Sequence, residues 1–146
     1  MTSRKTRFEI RVVHVPVLTA EKLQIDKAAD TYPICEKIAN QQEECLLVIS
    51  LDASYHVFNS RVISIAAPHR GLSWMATVFR GAVADGADAI IVVHNHPGSN
   101  AFPSGQDNRF YNRLGKACEI MEIELADFLV VSGEQLYSLN SGKMVK

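Results

Sequence analysis

Two imidazoles, a hydroxyl and a carboxylate fall within fourteen residues of this chain, at His94, His96, Ser104 and Asp107. Their spacing is His-x-His-x7-Ser-x2-Asp. Histidines at i and i+2 on an extended chain project to the same side. A metal could sit between them, with Asp107 brought in from the next element to close the site. Zinc accepts nitrogen and oxygen ligands at ~2.0–2.2 Å, and a catalytic site keeps three protein ligands and one open position. His94, His96 and Asp107 meet that count. Hydrolysis at such a site also needs a carboxylate to take the proton of the activated water and pass it to the leaving group. Glu43 and Glu44 directly precede the apolar run Cys45-Leu46-Leu47-Val48-Ile49-Ser50-Leu51. A strand end leading into the core would bring one of them beside the metal, and spacing alone does not choose between the two.

Each piece has an ordinary structural explanation when taken singly. Ser104-x-x-Asp107 reads as a variant capping box, with Asp in the place of Glu. A lone loop histidine is usually a hydrogen-bonding residue, and Glu43-Glu44 could be a solvated acidic pair. The combination is what favours a metal. Ala89-Ile90-Ile91-Val92-Val93 reads as a strand buried on both faces, and the histidines stand at its carboxyl end. Open α/β sheets place their ligands at that end. Asp107 in the first turn of a helix capped by Ser104 would be aimed at the same loop.

The elements that must position these groups alternate along the chain. Residues Phe8 to Leu18 look extended. A short helix is predicted from about Thr31 to Asn40, with Asp30 as its N-cap. Cys45 to Leu51 reads as a buried strand, Asp52-Ala53-Ser54 as a turn, and Tyr55 to about Ala66 as a second strand. Pro68 to Gly71 reads as a loop, after which Ser73 caps a helix that stops near Gly86. The strand ending at His94 follows. A helix from Ser104 to about Met121 carries Phe110, Leu114, Ala117, Cys118 and Met121 as its inward stripe. Leu125 to Val131 and Gln135 to Leu139, joined by Ser132-Gly133-Glu134, make a closing hairpin. The order β-α-β-β-α-β-α-β-β predicts an α/β fold with a mixed sheet covered by helices.

Composition bounds the function classes. A chain of 146 residues reads as one domain, large enough to bury close to ~70% of its unfolded surface. A net charge of −1 and 47% hydrophobic residues describe a soluble globular protein. Only Arg4, Lys5 and Arg7 cluster as a basic segment, too small a field to hold nucleic acid nonspecifically. No apolar run approaches ~20 residues and no signal-peptide core is present, so no membrane partner is expected. Cys35, Cys45 and Cys118 are scattered in apolar surroundings and read as reduced core residues of a cytoplasmic protein.

The His-x-His-x7-Ser-x2-Asp pattern resembles the JAMM motif of the JAB/MPN metalloprotease superfamily. His94-Asn95-His96-Pro97 with the later Pro103-Ser104 is similar to its bacterial RadC branch. Glu44 to Asp52 resembles a RadC strand opened by Glu and closed by Asp, and Val78-Phe79-Arg80 and Asp127-Phe128-Leu129 look like further landmarks. The likeness covers roughly residues 31 to 140. It implies a JAB/MPN (cytidine-deaminase-like) mixed β-sheet flanked by helices over residues 31–146, preceded by a strand-like extension at 1–30. It also implies Zn2+ as cofactor, with His94, His96 and Asp107 as metal ligands. Glu44 would be the general acid/base, preferred to Glu43 by its place in the strand match. Ser104 would hold the water and stabilise the oxyanion.

Departures from the RadC pattern bear on the substrate. Pro97-Gly98-Ser99-Asn100-Ala101-Phe102 replaces the usual Pro-Ser-Gly and puts an apolar ring in the loop. Trp74-Met75 stands where a His-Pro pair is usual, and Asp127-Phe128 where Asp-His is usual. The branch's helix-hairpin-helix region is expected to be absent, its place taken by a strand-like segment. The expected activity is that of a zinc metallopeptidase or isopeptidase acting on a protein or peptide, a ubiquitin-like conjugate among them. A RadC-type role on nucleic acid and a non-catalytic interaction module are the two alternatives. Base deamination on the related fold is set aside, because the His-x-Glu and Pro-Cys-x-x-Cys signatures are missing.

Overall fold

A computed structural model describes residues 13–14, 23–64 and 74–146. Most of the extended segment expected at Phe8 to Leu18, the loop at Pro68 to Gly71 and the cap at Ser73 lie outside the described residues. The exception is Val13–His14, a short strand, β1. A 3-10 turn (Ala28–Thr31) runs into α1 (Tyr32–Ala39). Next come β2 (Cys45–Leu51), β3 (Val57–Ser64), α2 (Trp74–Asp85) and β4 (Ala89–Asn95). The chain closes with α3 (Gly105–Met121), β5 (Glu124–Ser132), β6 (Gln135–Ser138) and β7 (Lys143–Met144). The strands form one sheet in the order β1-β3-β2-β4-β5-β6-β7. Among the described strands only β4 and β5 pair in parallel, with α3 as the crossover between them. This is the expected mixed α/β sheet with helices on both faces.

Strand periodicity sorts the core into two layers. Leu47, Ile49, Ile91, Val93, Leu129 and Val131 point to the α1 face, where Ile34, Cys35 and Ile38 cover them. Leu46, Val48, Ile90, Val92, Phe128 and Val130 point to the opposite face, under Val78, Ala82, Leu114 and Cys118. β2 and β4 are buried along their whole length because both faces are covered. The same parity decides the site: His94 follows Ile90 and Val92 onto the α2/α3 face, while Asn95 falls on the α1 face.

Three local expectations need correction or extension. Asp30 is not the N-cap of α1; Thr31 holds that position without a side-chain bond, and Pro33 stands in the first turn. Instead the Asp30 carboxylate reaches back to the N–H groups of Asp26 (3.0 Å) and Lys27 (2.9 Å) and caps the 3-10 turn from within. Met121, expected in the inward stripe of α3, is 44% exposed. It is the helix's last residue, and Glu122 follows it with φ of 55°, so the chain is already turning away. Finally, β7 was not foreseen, since two residues carry no periodicity.

A buried ion pair ties α2 to the sheet. Arg61 bonds Asp85 and the Gly81 carbonyl, and Asp85 also accepts from Asn59 (2.9 Å) and Ser50 (2.8 Å). A Cβ at Gly81 would lie 2.9 Å from the Arg61 guanidinium, so a larger residue there would have to displace that buried side chain. The three cysteines are buried and unpaired, matching their reading as core residues. Burial pushes the thiol of Cys35 up to about 12 and those of Cys45 and Cys118 up to about 11, which leaves none as a nucleophile at neutral pH.

Candidate metal centre

β4 delivers His94 on its last turn of pleat, and His96 follows one residue past the strand. The α3 N-terminus delivers Asp107 from the other side. Ser104 is the N-cap, in extended conformation, and its Oγ accepts the Asp107 N–H at 3.1 Å. In return Asp107 Oδ2 accepts from the Ser104 N–H (2.8 Å) and hydroxyl (2.9 Å). The capping box and the aimed carboxylate are therefore the same set of bonds. Asp107 Oδ1 lies 2.7 Å from His94 Nδ1, and Oδ2 lies 2.9 Å from His96 Nε2. One ligand atom from each of His94, His96 and Asp107 falls within 4.8 Å of the others.

Asp107 is 4% exposed. Burial alone would raise its pKa, but hydrogen bonds from His94 and Ser104 outweigh that and hold the carboxyl well below the usual carboxylate range. It is an anion throughout the neutral range and can serve as a ligand.

The donor set fits a metal on two grounds internal to the structure. His96 Nδ1 lies 3.0 Å from the Asn100 carbonyl, which can only accept, so Nδ1 carries a proton. In the neutral ring Nε2 then presents a lone pair toward the Asp107 carboxylate. Two electron-rich atoms 2.9 Å apart need a cation between or beside them, either a proton on Nε2 or a metal ion. In addition, His94 Nε2 is buried without a hydrogen-bond partner, an expensive state for an imidazole nitrogen.

The sequence-predicted residues are thus brought together with different degrees of engagement. His94, His96, Asp107 and Ser104 form one bonded cluster. Glu44 lines the same pocket as His94 and Asp107, a cavity of about 490 Å³. Glu43 does not line it; its carbonyl accepts from the Asn95 side chain instead. The geometry separates the two acids that spacing left equivalent. The Ser104 hydroxyl is directed at Asp107, so its single proton is already in use.

Trp74, Met75, Phe110 and Phe128 form the apolar wall of this pocket. Trp74 stacks edge-on against His94 (centroids 5.7 Å apart) and against Phe110 (5.8 Å), and Phe110 meets Phe128 at 5.9 Å. Three of these four residues are the departures noted in the sequence. Phe102, the fourth apolar departure, is 57% exposed and leans on Tyr137 rather than on the metal cluster.

Sequence reasoning missed Asn95. Its side chain is fully buried and accepts from the Cys45 N–H (2.7 Å) while donating to the carbonyls of Glu43 (2.9 Å) and Ile38 (3.1 Å). It takes over where the β2–β4 ladder ends at Leu46 and His94. The two bonds to residues 43 and 45 bracket Glu44 and hold its backbone beside the histidines. The signal was present: a carboxamide between two histidines must face the other side of the strand, into the core. Asn95→Ala removes the side-chain partner of the buried Cys45 N–H and of the part-buried Glu43 carbonyl, while the Ile38 carbonyl keeps the Gln41 N–H. We expect a loss of ~2–4 kcal/mol, read as a fall in Tm of roughly 5–15 °C by calorimetry.

Among the described residues no helix is long and apolar enough to cross a membrane. The model of the RadC-like JAB domain family matches residues 25–144 of this chain. The chain is 31% identical to a UPF0758 protein of Thermotoga maritima over 115 residues, covering 79% of this chain and 52% of that one. A UPF0758 protein of Carboxydothermus hydrogenoformans is 32% identical over 130 residues, covering 87% of this chain and 57% of the relative. A third, from Chlorobium chlorochromatii, is 32% identical over 102 residues, covering 70% and 46%. The chain spans about half the length of the curated relatives it matches. With nearly its whole described length inside the family model, the chain belongs to the RadC-like JAB domain family.

Proposed function

We propose that this domain is a zinc-dependent hydrolase that cleaves an amide bond in a protein or peptide, as a peptidase or isopeptidase. The observation that carries the reading is the convergence of His94, His96 and Asp107 at the end of a buried strand, with Glu44 on the same pocket. His94, His96 and Asp107 would hold the metal. A zinc ion held there supplies Lewis acidity toward the carbonyl and lowers the pKa of water toward neutrality. Hydrolysis is also the common chemistry of the JAB superfamily.

The chain's own residues do the rest. Glu44 takes the proton of the attacking water and returns it to the leaving amine, so that an amine and a carboxylate depart. Ser104 turns its hydroxyl from Asp107 to the substrate oxygen as negative charge develops, a contribution typically of ~3–4 kcal/mol to the barrier. Trp74, Phe110 and Phe128 exclude bulk water from one side of the pocket. The unpaired, buried cysteines suit a reducing compartment such as the cytoplasm.

The test is to incubate zinc-loaded and chelator-stripped protein with ubiquitin-like conjugates, with peptides and with structured DNA. Amide cleavage by the loaded form alone is the expected result. Cleavage of DNA alone would reverse the reading in favour of a nucleic-acid enzyme.

A further inference from the structure

The pocket beside the metal cluster carries two cations that nothing in the cluster uses. Arg109 and Arg113 stand four residues apart on α3 and so share one face of the helix. Both line the cavity that holds Glu44, His94 and Asp107. Both are exposed, and among the described residues neither guanidinium has a hydrogen-bond or ion-pair partner. Arg109 folds back toward the start of its helix, its guanidinium 3.3 Å from where a Cβ on Gly105 would be. That places it near Ser104 and Asp107. The acids of the pocket do not balance the pair, because Asp107 is committed to His94, His96 and Ser104. Only Glu44 remains.

Unpaired guanidiniums in a pocket with one aromatic wall favour a ligand with a carboxylate on one side and an apolar group on the other. Arginine presents a planar fork that matches a carboxylate, and the aromatic wall of Trp74, Phe110 and Phe128 accepts the apolar part. A nucleic-acid strand fits less well. Its phosphates would run past Glu44, and two arginines do not make the basic stripe that a polyanion requires.

We propose that the pocket selects an acidic peptide, whose Glu or Asp side chain near the scissile amide docks on Arg109 and Arg113. This rests on the amide-hydrolase reading above for the chemistry, but the binding is separable from it. The probes are two fluorescein-labelled hexapeptides, Gly-Leu-Glu-Glu-Leu-Gly and Gly-Leu-Gln-Gln-Leu-Gly, titrated by anisotropy against the metal-free full chain at low salt. The Glu peptide should bind roughly tenfold more tightly than the Gln peptide. The preference should vanish in Arg109→Gln/Arg113→Gln and persist in Arg80→Gln, an exposed arginine of α2 away from the pocket lining. Equal binding of the two peptides overturns the proposal, as does a preference that survives in the double variant. Tighter binding of a six-nucleotide oligothymidylate through the same two arginines overturns it in favour of nucleic acid. Zinc titration of the same samples keeps the two readings apart. A Glu preference without zinc binding sinks the metallohydrolase and leaves the acidic-peptide pocket; zinc binding without the preference does the reverse.

Discussion

Glu44→Gln is expected to leave zinc binding intact while lowering amide hydrolysis by roughly 10²- to 10⁴-fold, the usual contribution of a positioned acid/base. Glutamine keeps the size and the hydrogen-bonding reach of the side chain but cannot take a proton from water. Glu44 is an exposed residue just ahead of β2, so its replacement disturbs no packing, and the Asn95 clamp on residues 43 and 45 stays in place. Glu43→Gln is the matched control. That side chain does not line the pocket, and its substitution should leave turnover within a few-fold of the parent. Steady-state kinetics on whichever conjugate or peptide the zinc form cleaves, with metal content measured on the same samples, separates the outcomes. Equal loss from both substitutions would remove Glu44 from its assigned role. Loss of metal in Glu44→Gln would make it a ligand instead of a base.

Asp107→Asn carries the second large effect, and it acts on metal affinity. The carboxylate is the point where α3 and the β4 end meet, accepting from Ser104 and facing both imidazoles. Asparagine preserves the shape and one oxygen acceptor for the capping bonds, but it removes the charge that makes the site attract a cation. Outer-shell substitutions alone commonly cost 10–100-fold in metal affinity, so replacement of a ligand is expected to cost at least ~100-fold. In the parent, zinc at a hundred times its Kd should raise stability by ~2.7 kcal/mol, and the variant should show no such rise at the same concentration. The metal-free proteins differ as well. The Asp107 carboxyl is held below its unfolded value, so it contributes stability above the ordinary carboxylate pKa of ~3.9 and loses it as pH falls through the depressed folded value. Asp107→Asn lacks that contribution, so the stability gap between parent and variant should shrink as the pH falls below ~4. Calorimetry across that range reads it. A gap that widened below pH ~4 would contradict the charge assignment.

The parts of the fold that could be read from the chain are those with strong periodicity. β2 and β4 are continuous apolar runs, and such runs are what a sheet covered on both faces requires. α3 carries a clear start signal in Ser104 and a stripe through Leu114 and Cys118. The His94–His96–Asp107 cluster was visible for the same reason. Its residues sit two apart at a strand end and at the third residue of a capped helix, and local geometry alone fixes both directions. Long-range bonds were not visible. Asn95 acts across fifty residues on Cys45, and nothing in the local pattern names that partner. Asp30 was misassigned because a carboxylate can cap from inside the turn as well as from ahead of it, and the chain pattern is the same. Spacing left Glu43 and Glu44 equivalent; the family resemblance preferred Glu44, and Glu44 is the one of the two that lines the pocket with His94 and Asp107.

The whole account turns on whether the His94–His96–Asp107 cluster holds a metal. Elemental analysis of the folded parent and of the His94→Ala/His96→Ala variant, after equilibration with excess zinc and desalting, measures this directly. The account predicts about one zinc per parent chain, the number a single three-ligand site can hold, and none in the variant. Full stoichiometry in the double variant would contradict it.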